Sequence, residues 1–223
     1  MKTYLISGIG ADYRLFTHIH LPDGYETRYI RWIDPQKGEP LPAYALRLAG
    51  QINTREPFVL IGFSLGGIMA TEIAKIFNPV HTILISSIPR SSELPPYYIR
   101  AHRLRLAKLA APPLMKFLAF IKALLTMRSR DDRKLMKDVI WSGDDRFISW
   151  AIEAVLRWEN DTLPLSMTHI HGAWDEIFPM LYTHADYTIP KAGHNLTMTH
   201  PHSVNDLLEK ILSPNASRWK PAS

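Results

Sequence analysis

Cysteine is absent from all 223 residues. Its absence excludes disulfides, cysteine nucleophiles and thiolate metal sites together. Long apolar runs are missing too. The best candidate, "PPLMKFLAFIKALLTM", is broken by Lys116 and Lys122, short of the roughly 18 uninterrupted apolar residues of a membrane span. The start "MKTYLISGIG" has too short an apolar run for a secretory leader and no small-residue cleavage pattern, so it reads as a first core strand. The "NAS" sequon in the tail carries little meaning without such a leader. There are no internal repeats and no low-complexity tract. A cytoplasmic protein without a transmembrane segment is the expectation.

What is present suits one domain of ordinary size with an insertion. The hydrophobic fraction is 46%, ample for a core, and the formal net charge is +5. That charge is uneven. From Arg90 to Lys137 there are 12 Lys and Arg against Glu93, Asp131 and Asp132, a local surplus of nine that leaves the remainder net acidic. Such a patch suits an acidic substrate, an acidic partner or a membrane surface, or else a set of solvated helix faces. Aromatic residues are too thinly interleaved there for base stacking, so nucleic acid is not an expected partner.

Short apolar, β-branched runs recur at 3–7, 26–33, 58–63, 81–87, 167–172 and 185–189. Few polar residues interrupt them, as in strands covered on both faces of a parallel sheet. Helical signals lie between: "LPAYALRLAGQI", "SLGGIMATEIAKIFNP" with Asn before Pro as its stop, and "HPHSVNDLLEKILSP". The alternation predicts an α/β fold, a mostly parallel central sheet of about six strands flanked by helices. Residues 93–160 break the rhythm with helical pieces at about 95–110, 112–127, 130–141 and 144–158, too long for an ordinary crossover. The expected division is a core of 1–92 and 161–214, a helical insertion at 93–160 and a frayed tail at 215–223. Within the insertion, Leu114, Phe117, Leu118, Ile121, Leu124 and Leu125 share helical spacing and are expected to bury it against the core.

One stretch needs a chemical reason. "IGFSLGG" sets Ser64 between glycines where an apolar strand meets a helix. Gly62-Phe63-Ser64-Leu65-Gly66 fits G-x-S-x-G, whose sharp turn lifts the hydroxyl clear of the sheet while the following helix aims free N–H groups at the same point. The plainer alternative is a capping serine in a Gly-rich turn. A serine nucleophile needs a base, and the base an orienting acid. "HIHGAWDEIFP" offers Asp175, with Glu176 as a neighbouring alternative, and "KAGHNL" offers His194, each after a predicted strand. Phe63, Trp174 and Phe178 are candidates for a substrate pocket or for ordinary aromatic packing. The pairs His18/His20, His169/His171 and His200/His202 share i, i+2 spacing, which on a strand puts both rings on one face. No carboxylate cluster or third ligand accompanies them, so no metal site is expected. Asp12 reads as a helix cap.

Taken together, "SGIGADYRLF", "GFSLGG", "HGAWDEIFP" and "AGHNL" resemble the first-strand loop, nucleophile elbow, acid loop and histidine loop of the α/β-hydrolase superfamily, over nearly the whole chain. The resemblance implies Ser64 as nucleophile, His194 as general base and then acid, and Asp175 as orienting carboxylate. It also implies an oxyanion hole from the backbone N–H groups of Ile9 and Leu65, a cap formed by the insertion, and no cofactor. Many relatives have His-Gly where this chain has Ser7-Gly8, and the sheet reads as trimmed at its N-terminal edge. The activity so implied is hydrolysis of a small or medium acyl ester or thioester, with an acidic handle suggested by the basic insertion. The alternatives are acyl transfer on the same residues, or a ligand-binding, signalling role with little turnover.

Overall fold

The computed structural model describes residues 1–104, 112–127 and 129–213. Its strands are β1 (Lys2–Ile6), β2 (Glu26–Tyr29), β3 (Phe58–Phe63), β4 (His81–Ile85), β5 (Met167–Gly172) and β6 (Tyr187–Ile189), in spatial order β2-β1-β3-β4-β5-β6. Every neighbouring pair is parallel, so the sheet is parallel throughout and all its C-terminal ends lie on one side. Open parallel sheets gather their sites at that side. Strand alternation splits the core into two layers. Tyr4, Ile6, Phe58 and Leu60 pack with α1 (Leu41–Leu48) and α2 (Leu65–Phe77), whereas Leu5, Val59, Ile61 and Phe63 share the opposite layer with the C-terminal helix Pro201–Leu212.

Two strands stop two or more residues short of their apolar runs. β4 ends at Ile85 because Ser86 takes a left-handed φ of 48°. β2 ends at Tyr29; beyond it, Ile33 turns toward α1, where its N–H and C=O both bond the Tyr44 hydroxyl at 3.0 and 2.8 Å. The predicted tail at 215–223, with its sequon, and residues 105–110 of the first helical piece lie outside the described residues.

The long insertion carries α3 (Pro96–Arg103), α4 (Pro112–Thr126), α5 (Arg130–Ser142) and α6 (Asp145–Leu156). Ser129 caps α5 through the N–H groups of Asp131 and Asp132, and Asp144 caps α6 through that of Phe147. Gly143, between these helices, packs on the loop after β1: a Cβ there would lie 2.7 Å from Gly10 O. Ala123 on α4 and Met127 just past its end are buried in the cluster that holds Phe63 and Leu196.

The apolar stripe of α4 does not follow its predicted role. Leu114, Phe117, Leu118 and Leu125 are 50–81% exposed, and Ile121 and Leu124 also face outward. Charge fixes the rotation of this helix instead. Lys116 turns inward to bond Gly143 O at 2.6 Å and pair with Asp145 at 2.5 Å, and Lys122 pairs with Glu176. Pointing the stripe inward would turn these ammonium groups from their acceptors.

The junction of α2 with the sheet is the tightest in the fold. A Cβ on Gly66 would lie 2.1 Å from Ile6 O and 2.5 Å from Ser7 O, both backbone atoms of β1 and its loop. Gly66→Ala is therefore expected to destabilise the protein by about 3 kcal/mol or more, since neither partner is a side chain that can rotate away. Urea denaturation would read this as a lowered midpoint, and a midpoint equal to that of the parent would contradict the packing described.

Candidate active site

Ser64 occupies the turn between β3 and α2 with φ 52° and ψ −121°, outside the ordinary regions for an L-residue and costing about 1–3 kcal/mol. Its surroundings hold it there. Ser64 N–H donates to Ile85 O at 3.0 Å, and Ser64 O accepts from Gly67 N–H at 2.9 Å and from the Ser87 hydroxyl at 2.7 Å. The side chain does not cap α2. Ser64 Oγ instead lies 2.9 Å from His194 Nε2, across 130 residues of sequence.

His194 sits in the loop after β6, and its Nδ1 meets Asp175 Oδ2 at 2.8 Å and Oδ1 at 3.1 Å. With Nδ1–H donating to the carboxylate, Nε2 keeps a lone pair for the serine hydroxyl, a tautomer assigned from the acceptors around it. Asp175 follows β5 and also accepts from Ile177 N–H and Phe178 N–H, each at 2.9 Å. Burial pushes its carboxyl up, but the His194 hydrogen bond, the His194 and His171 charges and the Phe178 N–H together hold it below the usual range. Glu176 does not take this place. It pairs with Lys122 on α4 and accepts from His194 N–H at 3.5 Å, so it ties the histidine loop to the insertion.

Leu65 is the first residue of α2, where N–H groups have no intrahelical acceptor and the helix dipole favours negative charge. Ile9 lies in the loop after β1, whose neighbouring Gly8 packs against the Phe63 ring and Ser64. Ser7 closes this loop: its hydroxyl donates to Ala11 O at 2.7 Å, beside a Trp32 Nε1–H bond to the same oxygen at 3.0 Å. Asp12 accepts from Arg14 N–H and caps the short 3₁₀ turn at Tyr13–Phe16.

A family model for the alpha/beta hydrolase family matches residues 13–207. The chain belongs to the alpha/beta hydrolase family. Solved structures similar to this hydrolase include a thermophilic esterase from Thermogutta terrifontis, with malate bound (TM-score 0.75, 20% identity, 95% of this chain and 89% of that one). MenH from S. aureus superposes with a TM-score of 0.71 at 15% identity, over 95% and 93% of the two chains. A hydrolase from Pseudomonas aeruginosa PA01 gives 0.69 at 15%, over 95% and 89%. At these identities the likeness is one of fold. No curated protein matches the chain. Among the described residues of this hydrolase, no helix is long and apolar enough to cross a membrane.

The pocket candidates separate in space. Phe63 and Phe178 are buried with their rings 5.3 and 5.8 Å from that of His194, whereas Trp174 is 66% exposed. A groove of about 940 Å³ lies on the β2 side, where Tyr29, Trp32, Asp144 and Phe147 line it; it reaches Gly10, but neither Ser64 nor His194 nor any of the three aromatic candidates lines it. Reading the sequence left two residues beside the site without a role. His169 and His171 on β5 are fully buried, with His169 Nε2 3.1 Å from His171 Nδ1 and His171 Nε2 3.4 Å from Asp175 Oδ2. Their i, i+2 spacing was the visible signal, since it sets both rings on one face of a strand that ends at the acid loop.

Proposed function

We propose that this hydrolase cleaves a carboxylic ester or thioester of a small or medium acyl group through an acyl-enzyme on Ser64. The observation that carries the reading is the single hydrogen-bonded chain from Ser64 Oγ through His194 to Asp175, set at the N-terminus of α2. In this mechanism His194 Nε2 takes the hydroxyl proton as Ser64 attacks the carbonyl carbon, and Asp175 stabilises the imidazolium that forms. The N–H groups of Leu65 and Ile9 hold the oxyanion, where one donor is typically worth about 10²–10³ in rate. His194 then returns its proton to the leaving group. Water deprotonated by the same ring attacks the acyl-enzyme and releases the acid. No cofactor enters.

Helices α3 to α6 act in this proposal as a cap. They touch each loop of the site: Gly143 the loop after β1, Lys122 the acid loop, and Ala123 and Met127 the residues around Phe63. The basic surplus of this segment favours a substrate with an acidic handle. A second reading, ligand binding with little turnover, draws on the burial of all three side chains, with Ser64 only 6% exposed.

The test is a fluorophosphonate probe with the adduct located by mass spectrometry, Ser64→Ala as control, and an ester and thioester chain-length series beside it. Labelling at Ser64, lost in the control and accompanied by repeated turnover, supports hydrolysis. Labelling without turnover favours the binding role, and folded protein that resists the probe overturns the activated serine.

A further inference from the structure

We propose that the gap between His169 Nε2 and His171 Nδ1 is a buried proton site, and that filling it sets His171 against His194 for the charge of Asp175. His171 is thus a positioning residue that acts through the acid. The inference rests on the reading of Ser64, His194 and Asp175 given above.

The geometry fixes how many protons the two rings need. His169 Nδ1 lies 2.8 Å from His184 O, and His171 Nε2 lies 2.8 Å from Phe178 O. Carbonyl oxygens only accept, so each outer nitrogen must carry a proton. Two neutral rings own one N–H each, and both are spent outward. What remains is a lone pair facing a lone pair at 3.1 Å, the longest of the three contacts. A third proton there turns repulsion into an N–H···N hydrogen bond and satisfies every nitrogen of the pair.

The surroundings decide which ring takes the charge. Burial pulls His169 down to about 3, with the His171 charge adding to the effect and outweighing the His184 and Ser87 backbone and Asp175, which pull the other way, so His169 stays the acceptor. His171 is lowered by burial too, but Asp175 and Phe178 O pull the other way. The proton therefore settles on His171 Nδ1, below the ordinary histidine range. Asp186, ahead of β6, faces the pair from its backbone side, its carboxylate accepting from the main-chain N–H of His169 at 2.7 Å. Glu93, after β4, is buried and pushed up, and it reaches the pair only through His184 N–H. From the insertion, Lys122 is lowered by burial against the pull of Asp175 and pairs with Glu176, while the Tyr98 hydroxyl, pushed up to about 12 by burial, stays neutral.

Once charged, His171 lies 3.4 Å from the same Oδ2 that receives His194 Nδ1–H at 2.8 Å. Asp175 then stabilises one imidazolium while another forms beside it, and the second is disfavoured. Either proton, on the base or behind the acid, accordingly lowers the rate.

Ring ¹H–¹⁵N spectra from pH 7 to pH 4 test the site without reference to activity. At neutral pH the expected protons are on His169 Nδ1 and His171 Nε2, and a second proton on His171 Nδ1 should appear on acidification while the fold persists. A His171 ring that keeps one proton until the protein unfolds overturns the proposal. The kinetic arm follows the fluorophosphonate rate constant against pH. It should fall by about tenfold per pH unit at the acid end in both parent and variant, since the two protonations compete, but His171→Gln, whose amide can still donate to Phe178 O, should keep its reactivity to a lower pH than the parent. His169→Met, which removes the acceptor, should behave like His171→Gln and carries the comparison if that variant misfolds. Equal acid midpoints in the parent and the variants also overturn the proposal. Should Ser64 react at no pH, the failure belongs to the hydrolase reading, and the spectra alone decide the proton site.

Discussion

Ser64→Ala is expected to lower kcat by on the order of 10⁶ while leaving the stability within about 1 kcal/mol of the parent. The reasoning separates backbone from side chain. The turn is held by main-chain bonds from Ser64 to Ile85 and Gly67 and by the Ser87 hydroxyl, none of which uses Ser64 Oγ. Alanine meets the same left-handed φ of 52° that serine does, so the strain is unchanged. The only bond lost is the one to His194 at 2.9 Å, and with it the atom proposed to attack the substrate. Steady-state kinetics on the best ester, beside a thermal melt, measure both halves. Turnover above about 1% of the parent in a folded variant would place the chemistry on another residue.

Asp175→Asn is the second large effect, a fall in kcat of about 10⁴. Asp175 Oδ1 accepts two backbone N–H groups, from Ile177 and Phe178. An asparagine satisfies them only by placing its oxygen there, which turns its NH₂ toward His194 Nδ1. That nitrogen must then accept, the ring proton moves to Nε2, and the serine hydroxyl loses its acceptor. The variant should also change the response to acid. Asp175 is lowered in the fold, so its contribution to stability is present above the ordinary carboxylate range and is lost as pH falls through the lowered value. His169 gives the same direction by another route. It is neutral in the fold down to about 3, whereas an unfolded histidine protonates near 6.5, so stability declines as pH falls between these values. Asp175→Asn removes the first contribution and keeps the second, and its denaturation midpoint should fall less steeply below pH 4. A parent-like kcat would deny Asp175 its proposed part.

Much of this arrangement was legible because each piece answers to local chemistry. The run 58–63 is apolar on both faces, and β3 is buried along its length. Gly62 and Gly66 flank Ser64 because side chains there would strike backbone. Asp175 and His194 could be picked out since each follows a strand and precedes a tight loop. What escaped the sequence was relational. The α4 stripe has the spacing of a buried face, yet Lys116 and Lys122 find their acceptors on the other side, and no pattern within the helix encodes where Gly143 O and Glu176 lie. Likewise the spacing of His169 and His171 shows that they share a face. It does not show that carbonyls from 178 and 184 wait at both ends.

The contact between Ser64 and His194 also has a meaning in time. It joins residues 130 positions apart. At about 5–20 residues per second, the ribosome adds the histidine on the order of ten seconds after the serine. Through that interval the nascent chain carries the elbow serine without its base, so the residue proposed as nucleophile is an ordinary alcohol. The proposed ester cleavage can therefore begin only when β6 and the loop behind it have joined the sheet, and a chain cut short before His194 would hold the serine turn without its proposed chemistry.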